Sequence, residues 1–493
     1  MNKMAEDATR LAALIKRGKV SSSELVARSL AKIKAENQTL NAVTHLRETA
    51  ALKEAENALK TDAPFAGVPI LIKGLGQSLK GEPDTASSKL LKANVATTTD
   101  NFVAGLQRAG FIILGETNAP EFGFKNVTDP ELYGPTKSAW GNHEVSPGGS
   151  SGGSAAAVSA DWVSLAAGND GGGSIRIPAS FSGLIGLKPT RGRVPAGPGA
   201  WRGWQGASIN FGLTRSIRDT AQLLDSLQTV QPAAPFQTPL YSQGFLQTSQ
   251  QPLPTKFTVG YTLESPVGTP VSKDAQQAVL DAVDFLKANG IRTVEMQNPL
   301  DGVKMMESYY IVNAGETAAM FDGIQASLGR AVAMDDIELM TWVIYQAGLL
   351  TRAQDYSHAF ELWDAASYQM DQLYSQIDLF LTPTTATTAP RLDYELVSPE
   401  VTEQMRHVTD LNRQERLDLI YRFFERSLAL SPFTQQANLT GQPAISLPTG
   451  IATNGLPLGI QFLARKGDEA TLLQMGRLFE MNGMFKMLHE TEQ

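Results

Sequence analysis

Hydrophobic and polar positions along this chain follow two patterns, the repeat of amphipathic helices and the continuous apolar runs of buried strands. Near the amino terminus a helical repeat ends at Gly18, and a second one begins with a capping box formed by Ser21 and Glu24. The apolar positions of these two helices that face inward are Leu11, Leu14, Ile15, Leu25, Leu30 and Ile33.

Short apolar runs bounded by turn residues predict buried strands further along the chain. The first of these runs is followed directly by Lys73, so a charged side chain closes a buried strand. The predicted strands occupy 67–72, 111–114, 163–167, 257–261, 378–384 and 456–462. The predicted helices occupy 154–161, 275–289, a long region at 304–375, and 469–480. Strands that alternate with helices in this way predict an α/β fold with a substantially parallel sheet.

The composition is that of an ordinary soluble globular protein, and it excludes several functions. Of 493 residues, 42% are hydrophobic and 19% are charged, and the net charge is −8 without a cluster of Lys and Arg. This balance disfavours nucleic acid and anionic membranes as partners. The absence of cysteine excludes a disulfide framework, a thiolate nucleophile and a Cys-based zinc site. Because the sequence contains no signal-peptide stretch and no apolar run long enough to span a bilayer, we expect a cytoplasmic protein.

Two serine clusters flanked by glycine lie within residues 147–178 and are centred on Ser150 and Ser174. Glycine lets backbone amides come close to a reacting atom, because no Cβ stands in the way. A serine beside such amides can attack a carbonyl while the amides bind the oxyanion that forms. A flexible Gly/Ser linker is the alternative, but a linker does not need the Ala-rich helical segment between the two clusters.

A nucleophile elbow of the GxSxG type is a second alternative, since residues 149–153 match it with Ser151 at the centre. That elbow must follow a strand, whereas a Pro-Gly loop precedes it here. It also needs a histidine partner, and none of the three downstream histidines has a distinctive setting. They are His358, His407 and His489.

An activated serine without histidine or cysteine needs another base, and Lys73 is the candidate because Ile-Leu-Ile precedes it. Lowering the pKa of lysine from its free value to about 7 costs roughly 4.6 kcal/mol. That requires a nearly dry amine whose hydrogen-bond partners are neutral. The alternative is a lysine at the end of a strand that reaches solvent.

Three separated blocks resemble the amidase signature family, whose members hydrolyse carboxamides with a Ser–cis-Ser–Lys triad. The blocks are GVPILIKG around Lys73, SPGGSSGGSAAAV around Ser150, and GNDGGGSIRIPAS, which contains Ser174. The last block and the chain length are similar to a bacterial branch that includes the 6-aminohexanoate cyclic dimer hydrolases. The resemblance implies the family fold, a large mixed and mostly parallel central β-sheet covered by helices on both faces.

The resemblance also implies one domain over residues 1–493. In it, N-terminal helices (1–60) precede a catalytic core (61–225). A surface excursion rich in Pro, Gln, Ser and Thr (226–256) follows, and the remaining sheet and substrate-side helices complete the chain (257–493).

Position by position, the resemblance implies a role for each residue of the site. Ser174 is the nucleophile, Ser150 is the bridging serine on a cis peptide, and Lys73 is the base. Ser151 supports this relay, while Asp170 and Arg176 hold the loop in shape. The backbone amides of Gly171, Gly172, Gly173 and Ser174 form the oxyanion hole.

The sequence says less about the residues that would line a substrate pocket. We hypothesise that Trp201 and Trp204 wall an apolar pocket and that Asn313 contributes the opposite wall. The alternative is that the two tryptophans cover the core from outside. The expected partner is a small-molecule amide without metal or cofactor, and a homodimer is compatible with the sequence.

Two departures from the family pattern leave the activity open. Gly74 stands where the family usually has Asp, and Asn169-Asp170-Gly171 stands where it usually has Thr-Asp-Thr. Within the family, the alternative is the glutaminase subunit that serves tRNA-dependent amidation. Ile177 argues against it, because those subunits usually have Gln there. A catalytically silent member is the remaining alternative.

Overall fold

The computed structural model describes residues 6–58 and 62–488. His489 lies outside the described residues, as do both ends of the predicted segment 1–60 and the end of 257–493. Across the described part of the chain, no helix is long and apolar enough to cross a bilayer.

The described residues form eleven β-strands and sixteen α-helices. The strands are β1 (Val43–Leu46), β2 (Pro69–Lys73), β3 (Ile112–Thr117), β4 (Ala166–Asp170), β5 (Ile185–Lys188), β6 (Ile209–Thr214), β7 (Thr258–Tyr261), β8 (Arg292–Glu295), β9 (Leu379–Pro383), β10 (Ala444–Ile451) and β11 (Pro457–Leu463). The helices are α1 (Ala8–Lys16), α2 (Ser22–Leu40), α3 (Glu48–Glu56), α4 (Asn101–Arg108), α5 (Gly152–Ser159), α6 (Arg176–Ser182), α7 (Ile217–Leu227), α8 (Phe245–Ser249), α9 (Lys273–Ala288), α10 (Gly302–Leu328), α11 (Leu339–Gly348), α12 (Ala353–Leu373), α13 (Pro399–Arg406), α14 (Arg413–Leu430), α15 (Gln435–Thr440) and α16 (Glu469–Met481).

All eleven strands belong to one mixed sheet with the order β1-β3-β2-β4-β6-β5-β10-β11-β9-β7-β8. This confirms the predicted α/β fold with a large mixed central sheet. Parallel pairing is less extensive than predicted, because four of the ten strand pairs are parallel and six are antiparallel. The antiparallel pairs include strands that follow each other directly, such as β5 with β6 and β10 with β11, and also strands far apart in sequence, such as β5 with β10.

Helices cover both faces of the sheet. Successive strand side chains point to opposite faces. In β9, Leu379 and Leu381 join the larger hydrophobic cluster, whereas Phe380 joins a second cluster built mainly from α10, α11, α12 and α14. The two clusters therefore lie on opposite sides of the sheet.

The boundaries of several helices and strands differ from those predicted from the sequence, although the start of α2 agrees. The capping box of Ser21 and Glu24 is present at the start of α2. The strand predicted at 163–167 is β4, which begins later and ends at Asp170. The long region 304–375 is divided into α10, α11 and α12, and Gly329 ends the first of them with a left-handed φ of 66°. Within 226–256 the structure has one short helix, α8.

One edge of the sheet collects the chemically interesting residues. β2 and β4 are parallel neighbours, so their carboxyl ends lie at the same edge. Lys73 is the last residue of β2, and Asp170 is the last residue of β4. Ser150 lies just before α5 begins, and Ser174 lies on the turn between β4 and α6. The sheet thus brings together the two serine clusters and the lysine.

The contribution of the second hydrophobic cluster to stability can be tested at Phe380, whose side chain is fully buried in it. Phe380→Ala is expected to lower the free energy of unfolding by about 3–5 kcal/mol, because it leaves a cavity beneath the sheet. Urea-induced unfolding measures the change. Tyr368→Ala, at a side chain that is 67% exposed, is the matched control and is expected to shift the midpoint little. Equal midpoints for Phe380→Ala and the unaltered chain would contradict the assignment.

Candidate active site

Lys73 reaches from the end of β2 to two neutral partners. Its Nζ lies 2.7 Å from Ser150 Oγ and 2.6 Å from Asn169 Oδ1. The Asn169 amide is held in this orientation because its Nδ2 donates a hydrogen bond to the Leu75 carbonyl. Lys73 is only 1% exposed, which rules out the alternative of a lysine that reaches solvent.

Burial lowers the pKa of Lys73 to about 7, and the negative charge of Asp170 opposes part of that shift. Taking an ammonium out of water disfavours its charged form, and neither side chain in direct contact is a carboxylate. A neutral amine near physiological pH is therefore consistent with its surroundings. The two conditions stated from the sequence, dryness and neutral partners, are both confirmed.

Ser150 lies at the boundary between the lysine and an open cavity. The peptide bond between Gly149 and Ser150 is cis, as the resemblance implied. A side chain at position 149 would lie 2.6 Å from the backbone of Val127, so glycine fits this contact. Ser150 is buried, but it lines the cavity described below.

Ser174 is the more accessible of the two candidate serines. It is half-buried, and its carbonyl accepts a hydrogen bond from the backbone N–H of Ser151. Ser151 is fully buried and also donates its hydroxyl to the Asn169 carbonyl. Ser151 therefore links the turn that carries Ser174 to the residue that contacts Lys73. This position is unsuitable for a nucleophile, which disfavours the elbow of the GxSxG type.

Three backbone N–H groups around Ser174 have no acceptor in the described part of the chain. The Gly171 carbonyl accepts a hydrogen bond from the Tyr309 hydroxyl at 3.0 Å, and the Gly172 carbonyl accepts one from Thr434 Oγ1 at 2.7 Å. Among the described residues, none accepts a hydrogen bond from the N–H of Gly171, Gly172 or Ser174. These three N–H groups remain available to an oxyanion.

Gly173 corrects the predicted set of oxyanion donors. Its N–H donates to Asp170 Oδ1 at 2.8 Å, so this group is already engaged. The glycine is required for a different reason, because a Cβ at position 173 would lie 2.2 Å from Thr434 Oγ1. Gly173 is therefore a packing residue here.

Close packing also explains the two glycines before it. A Cβ at position 171 would lie 2.7 Å from the Trp204 ring, and one at position 172 would lie 2.8 Å from the Tyr309 hydroxyl. Two aromatic side chains from distant segments thus press against the turn. The glycine run admits that approach and leaves the amides uncovered.

Asp170 and Arg176 form a fully buried ion pair under the turn, at 2.8 Å between Oδ1 and Nη2. Although burial opposes the charged form, the guanidinium charge and its hydrogen bonds lower the pKa of Asp170 to about 2. Arg176 also donates to the Thr434 carbonyl, Gln461 and Asn438. Asp170 accepts hydrogen bonds from the backbone N–H groups of residues 173, 175 and 176. Both residues hold the loop, as the resemblance implied.

A cavity of about 600 Å³, here called the large cavity, opens beside the turn. Ser150, Asn169 and Ser174 line it, together with Trp201 and Trp204. The structure therefore places both tryptophans on the wall of the cavity. Its volume lies in the range that small organic ligands occupy.

A second cavity of about 70 Å³, here called the small cavity, meets the same turn from the other side. Its lining includes Gly172, Ser174, Tyr309 and Asn313, and Trp204 lines both cavities. Trp204 stacks on Phe124, with ring centroids 5.9 Å apart. Asn313 does not line the large cavity, so it does not form the wall opposite Trp201 that the sequence suggested; it lines the small cavity together with Trp204.

Sequence reasoning did not assign a role to two residues of the site. Asn169 was noted only as a departure from the family pattern. Its neutral carboxamide at the end of a predicted strand could have indicated a partner for Lys73. Thr434 comes from a segment 260 residues away from Ser174 and has no motif around it. The departure at Gly74 has a packing cause, because a Cβ there would lie 2.9 Å from the Thr117 carbonyl.

Comparison with known proteins gives consistent matches along the chain. The family model described as Amidase matches residues 24–473. A lipoamidase from Enterococcus faecalis is 44% identical over 98% of this chain, and the chain spans 64% of the length of that relative. A 6-aminohexanoate-cyclic-dimer hydrolase from Paenarthrobacter ureafaciens is 33% identical over 96% of this chain and 94% of its own. The solved structure of a 6-aminohexanoate cyclic dimer hydrolase complexed with substrate superposes with a TM-score of 0.87, at 31% identity and with 97% of both chains covered.

The buried ion pair supplies a prediction about stability. Asp170→Asn leaves the Arg176 charge without its counter-ion and is expected to lower the free energy of unfolding by about 3–5 kcal/mol. Because the folded pKa of Asp170 is about 2 and the unfolded value is near 3.9, the carboxylate stabilises the fold above about pH 4 and loses this effect as the pH falls toward 2.

Urea unfolding at neutral pH and at pH values below about 4 measures both effects. Asp284→Asn, at an exposed surface carboxylate, is the control and should change neither. If Asp170→Asn unfolds with the same pH dependence as the unaltered chain, the stabilising role of the pair is refuted.

Proposed function

The chain belongs to the amidase family, whose hydrolases act on amide C–N bonds, and from that premise we propose that it cleaves small linear or cyclic carboxamides through a serine acyl-enzyme. The observation that carries this proposal is the buried, hydrogen-bonded contact of 2.7 Å between Lys73 Nζ and Ser150 Oγ, in a cavity that the half-buried Ser174 also lines. A candidate base contacts a candidate relay there without histidine, and a candidate nucleophile lines the same cavity.

In the first step, neutral Lys73 takes the proton of the Ser150 hydroxyl while Ser150 takes the proton of the Ser174 hydroxyl. Ser174 Oγ then forms a bond to the amide carbonyl carbon, and the carbonyl oxygen becomes an oxyanion. The free N–H groups of Gly171, Gly172 and Ser174 bind that oxyanion. Such donors typically contribute about 3 kcal/mol each to transition-state stabilisation.

In the second step, the C–N bond breaks and the amine leaves with a proton from Ser150, which Lys73 replenishes. A water molecule then gives its proton to the same relay, and its oxygen attacks the acyl carbon. Collapse of this second intermediate releases the carboxylic acid and returns the hydrogen to Ser174 Oγ. The relay ends in its starting state, so it turns over without net proton gain.

Substrate size follows from the cavities. The large cavity has the volume of a small-molecule site, and its aromatic wall of Trp201 and Trp204 suits apolar groups of modest size. The names lipoamidase and 6-aminohexanoate-cyclic-dimer hydrolase support the class of bond that is cleaved, although the chain spans only part of the lipoamidase.

Ser174→Ala tests the nucleophile on a panel of aryl, alkyl and cyclic amides. It is expected to lower kcat/KM at least about 1,000-fold on every amide that the unaltered chain cleaves, because the attacking oxygen is gone. Release of amine is the measurement. Ser375→Ala, at an exposed serine far from the site, is the control and should leave kcat/KM unchanged. Undiminished cleavage by Ser174→Ala would refute the assignment.

The pH dependence tests the base. Because the pKa of Lys73 is about 7 and the neutral amine is the active form, kcat/KM is expected to rise with pH through about 7. Asn169→Asp places a carboxylate against the amine and stabilises the ammonium. The rising limb of the pH–rate profile should therefore move to higher pH by one to three units.

A full pH–rate profile for both chains provides the measurement, and the melting temperature of Asn169→Asp reports whether it folds. Asn482→Asp, at a surface carboxamide, is the control and should leave the limb where it is. A limb that stays in place or moves to lower pH in Asn169→Asp would contradict the assignment of Lys73 as the base.

A further inference from the structure

Every backbone carbonyl from residue 170 to residue 173 accepts a hydrogen bond from another residue of the protein. The donors, in chain order of the carbonyls, are Asn438 Nδ2 at 2.9 Å, the Tyr309 hydroxyl at 3.0 Å, Thr434 Oγ1 at 2.7 Å and the N–H of Ile177 at 2.7 Å. A carbonyl shares one planar peptide unit with the N–H of the next residue, and in a trans peptide the two groups point in opposite directions. None of these four peptide bonds is cis. Each hydrogen bond on a carbonyl therefore also fixes the direction of the N–H that follows it.

The two central peptide units of this turn differ in how they are held. In the unit between Gly172 and Gly173, side chains bond both the carbonyl and the N–H. In the unit between Gly171 and Gly172, the Tyr309 hydroxyl bonds the carbonyl, while the N–H has no acceptor among the described residues. Within that part of the chain, Tyr309 thus makes the one hydrogen bond that orients the free N–H of Gly172.

Tyr309 lies directly against the turn and keeps its proton there. The side chain is 7% exposed, and burial raises the pKa of its phenol, so the hydroxyl remains a donor while Lys73 titrates. The ring meets Trp204 edge to face, with centroids 6.0 Å apart. The hydroxyl oxygen lies 2.8 Å from the place that a Cβ of residue 172 would occupy. Glycine at position 172 therefore makes room for the hydroxyl to reach the Gly171 carbonyl.

The contacts of Tyr309 indicate that it acts through the turn and not in the proton relay. Its hydroxyl donates to the Gly171 carbonyl and makes no hydrogen bond to Lys73 or Ser150. Tyr309 lines the small cavity together with Ser174, whereas Ser150 lines the large cavity and not the small one. The phenol is therefore separated from the base and the relay by the turn itself.

We propose that Tyr309 is a positioning residue of the oxyanion hole, whose hydroxyl holds the Gly171 carbonyl and thereby directs the N–H of Gly172 at the oxyanion. Donation to the carbonyl also polarises the shared peptide unit and strengthens its N–H as a donor. This inference rests on the proposed function, in which that N–H binds the oxyanion. It deepens the proposal by naming a residue, 135 positions away from Ser174 in sequence, on which the hole depends.

Tyr309→Phe tests the inference, because it removes the hydroxyl and keeps the ring. On an amide that the unaltered chain cleaves, kcat is expected to fall about 10- to 100-fold while KM stays within about twofold, since the misdirected N–H matters to the oxyanion and not to the bound substrate. The loss should be the same at every pH through which Lys73 titrates, because the phenol keeps its proton there. Release of amine is the measurement.

A trifluoromethyl ketone with the acyl group of that amide supplies a readout that a merely structural role would not move. Ser174 Oγ bonds to its carbonyl carbon, the serine proton passes to the relay, and the ketone oxygen becomes an oxyanion. Its Ki is expected to rise in Tyr309→Phe by about the factor by which kcat falls, as for an analogue of the transition state. Tyr374→Phe is the matched control, at a buried tyrosine that lines neither cavity and whose hydroxyl has no partner among the described residues. It should leave kcat and Ki unchanged.

The outcomes separate this inference from the proposed function. If the unaltered chain cleaves amides through Ser174 but Tyr309→Phe keeps its kcat, or raises KM alone, the positioning role is overturned and the hydrolase stands. A lower kcat with an unchanged Ki, a loss that varies with pH, or a variant that does not fold overturns that role as well. If the unaltered chain cleaves no amide, or Ser174→Ala cleaves as fast, the proposed function itself fails.

Discussion

The site depends on keeping Lys73 dry without placing a carboxylate against it. Water would stabilise its ammonium form, and so would a carboxylate in direct contact, and either would raise its pKa out of the working range. The structure meets both conditions with the neutral groups of Ser150 and Asn169. The charge of Asp170 raises the pKa of Lys73 against the larger effect of burial, and Asp170 is itself paired with Arg176 in a buried ion pair.

The same ion pair links the electrostatics of the site to its shape. Both carboxylate oxygens of Asp170 accept hydrogen bonds from the Arg176 side chain, and both also accept backbone N–H groups of the turn that follows Asp170. The turn is therefore tight around the carboxylate. That loop carries the half-buried Ser174 and the N–H groups of Gly171 and Gly172, which have no acceptor among the described residues. The Asp170 carboxylate, whose buried charge Arg176 compensates, thus also orders the turn that carries Ser174.

Trp204 links this turn to the two cavities. Its ring packs where a Cβ of residue 171 would be, stacks on Phe124 and meets Tyr309 edge to face. Trp204 lines both cavities, as Ser174 does. Of the two tryptophans expected from the sequence to line a pocket, Trp201 lines the large cavity only and Trp204 lines both.

The sequence by itself singled out Lys73, Ser150 and Ser174 as candidates, because they lie in local blocks whose glycines, serines and strand ends have distinctive chemistry and resemble the amidase family. Apolar patterns likewise located about half of the strands and helices of the described residues, since they record burial along a single element. Only the tertiary structure decided that Asn169 contacts the lysine and that the N–H of Gly173 is already engaged. The contact between Lys73 and Asn169 joins residues 96 positions apart and depends on how the strands pair. The contact between Gly173 and Asp170 lies within one turn, but it depends on a backbone conformation that no local pattern encodes.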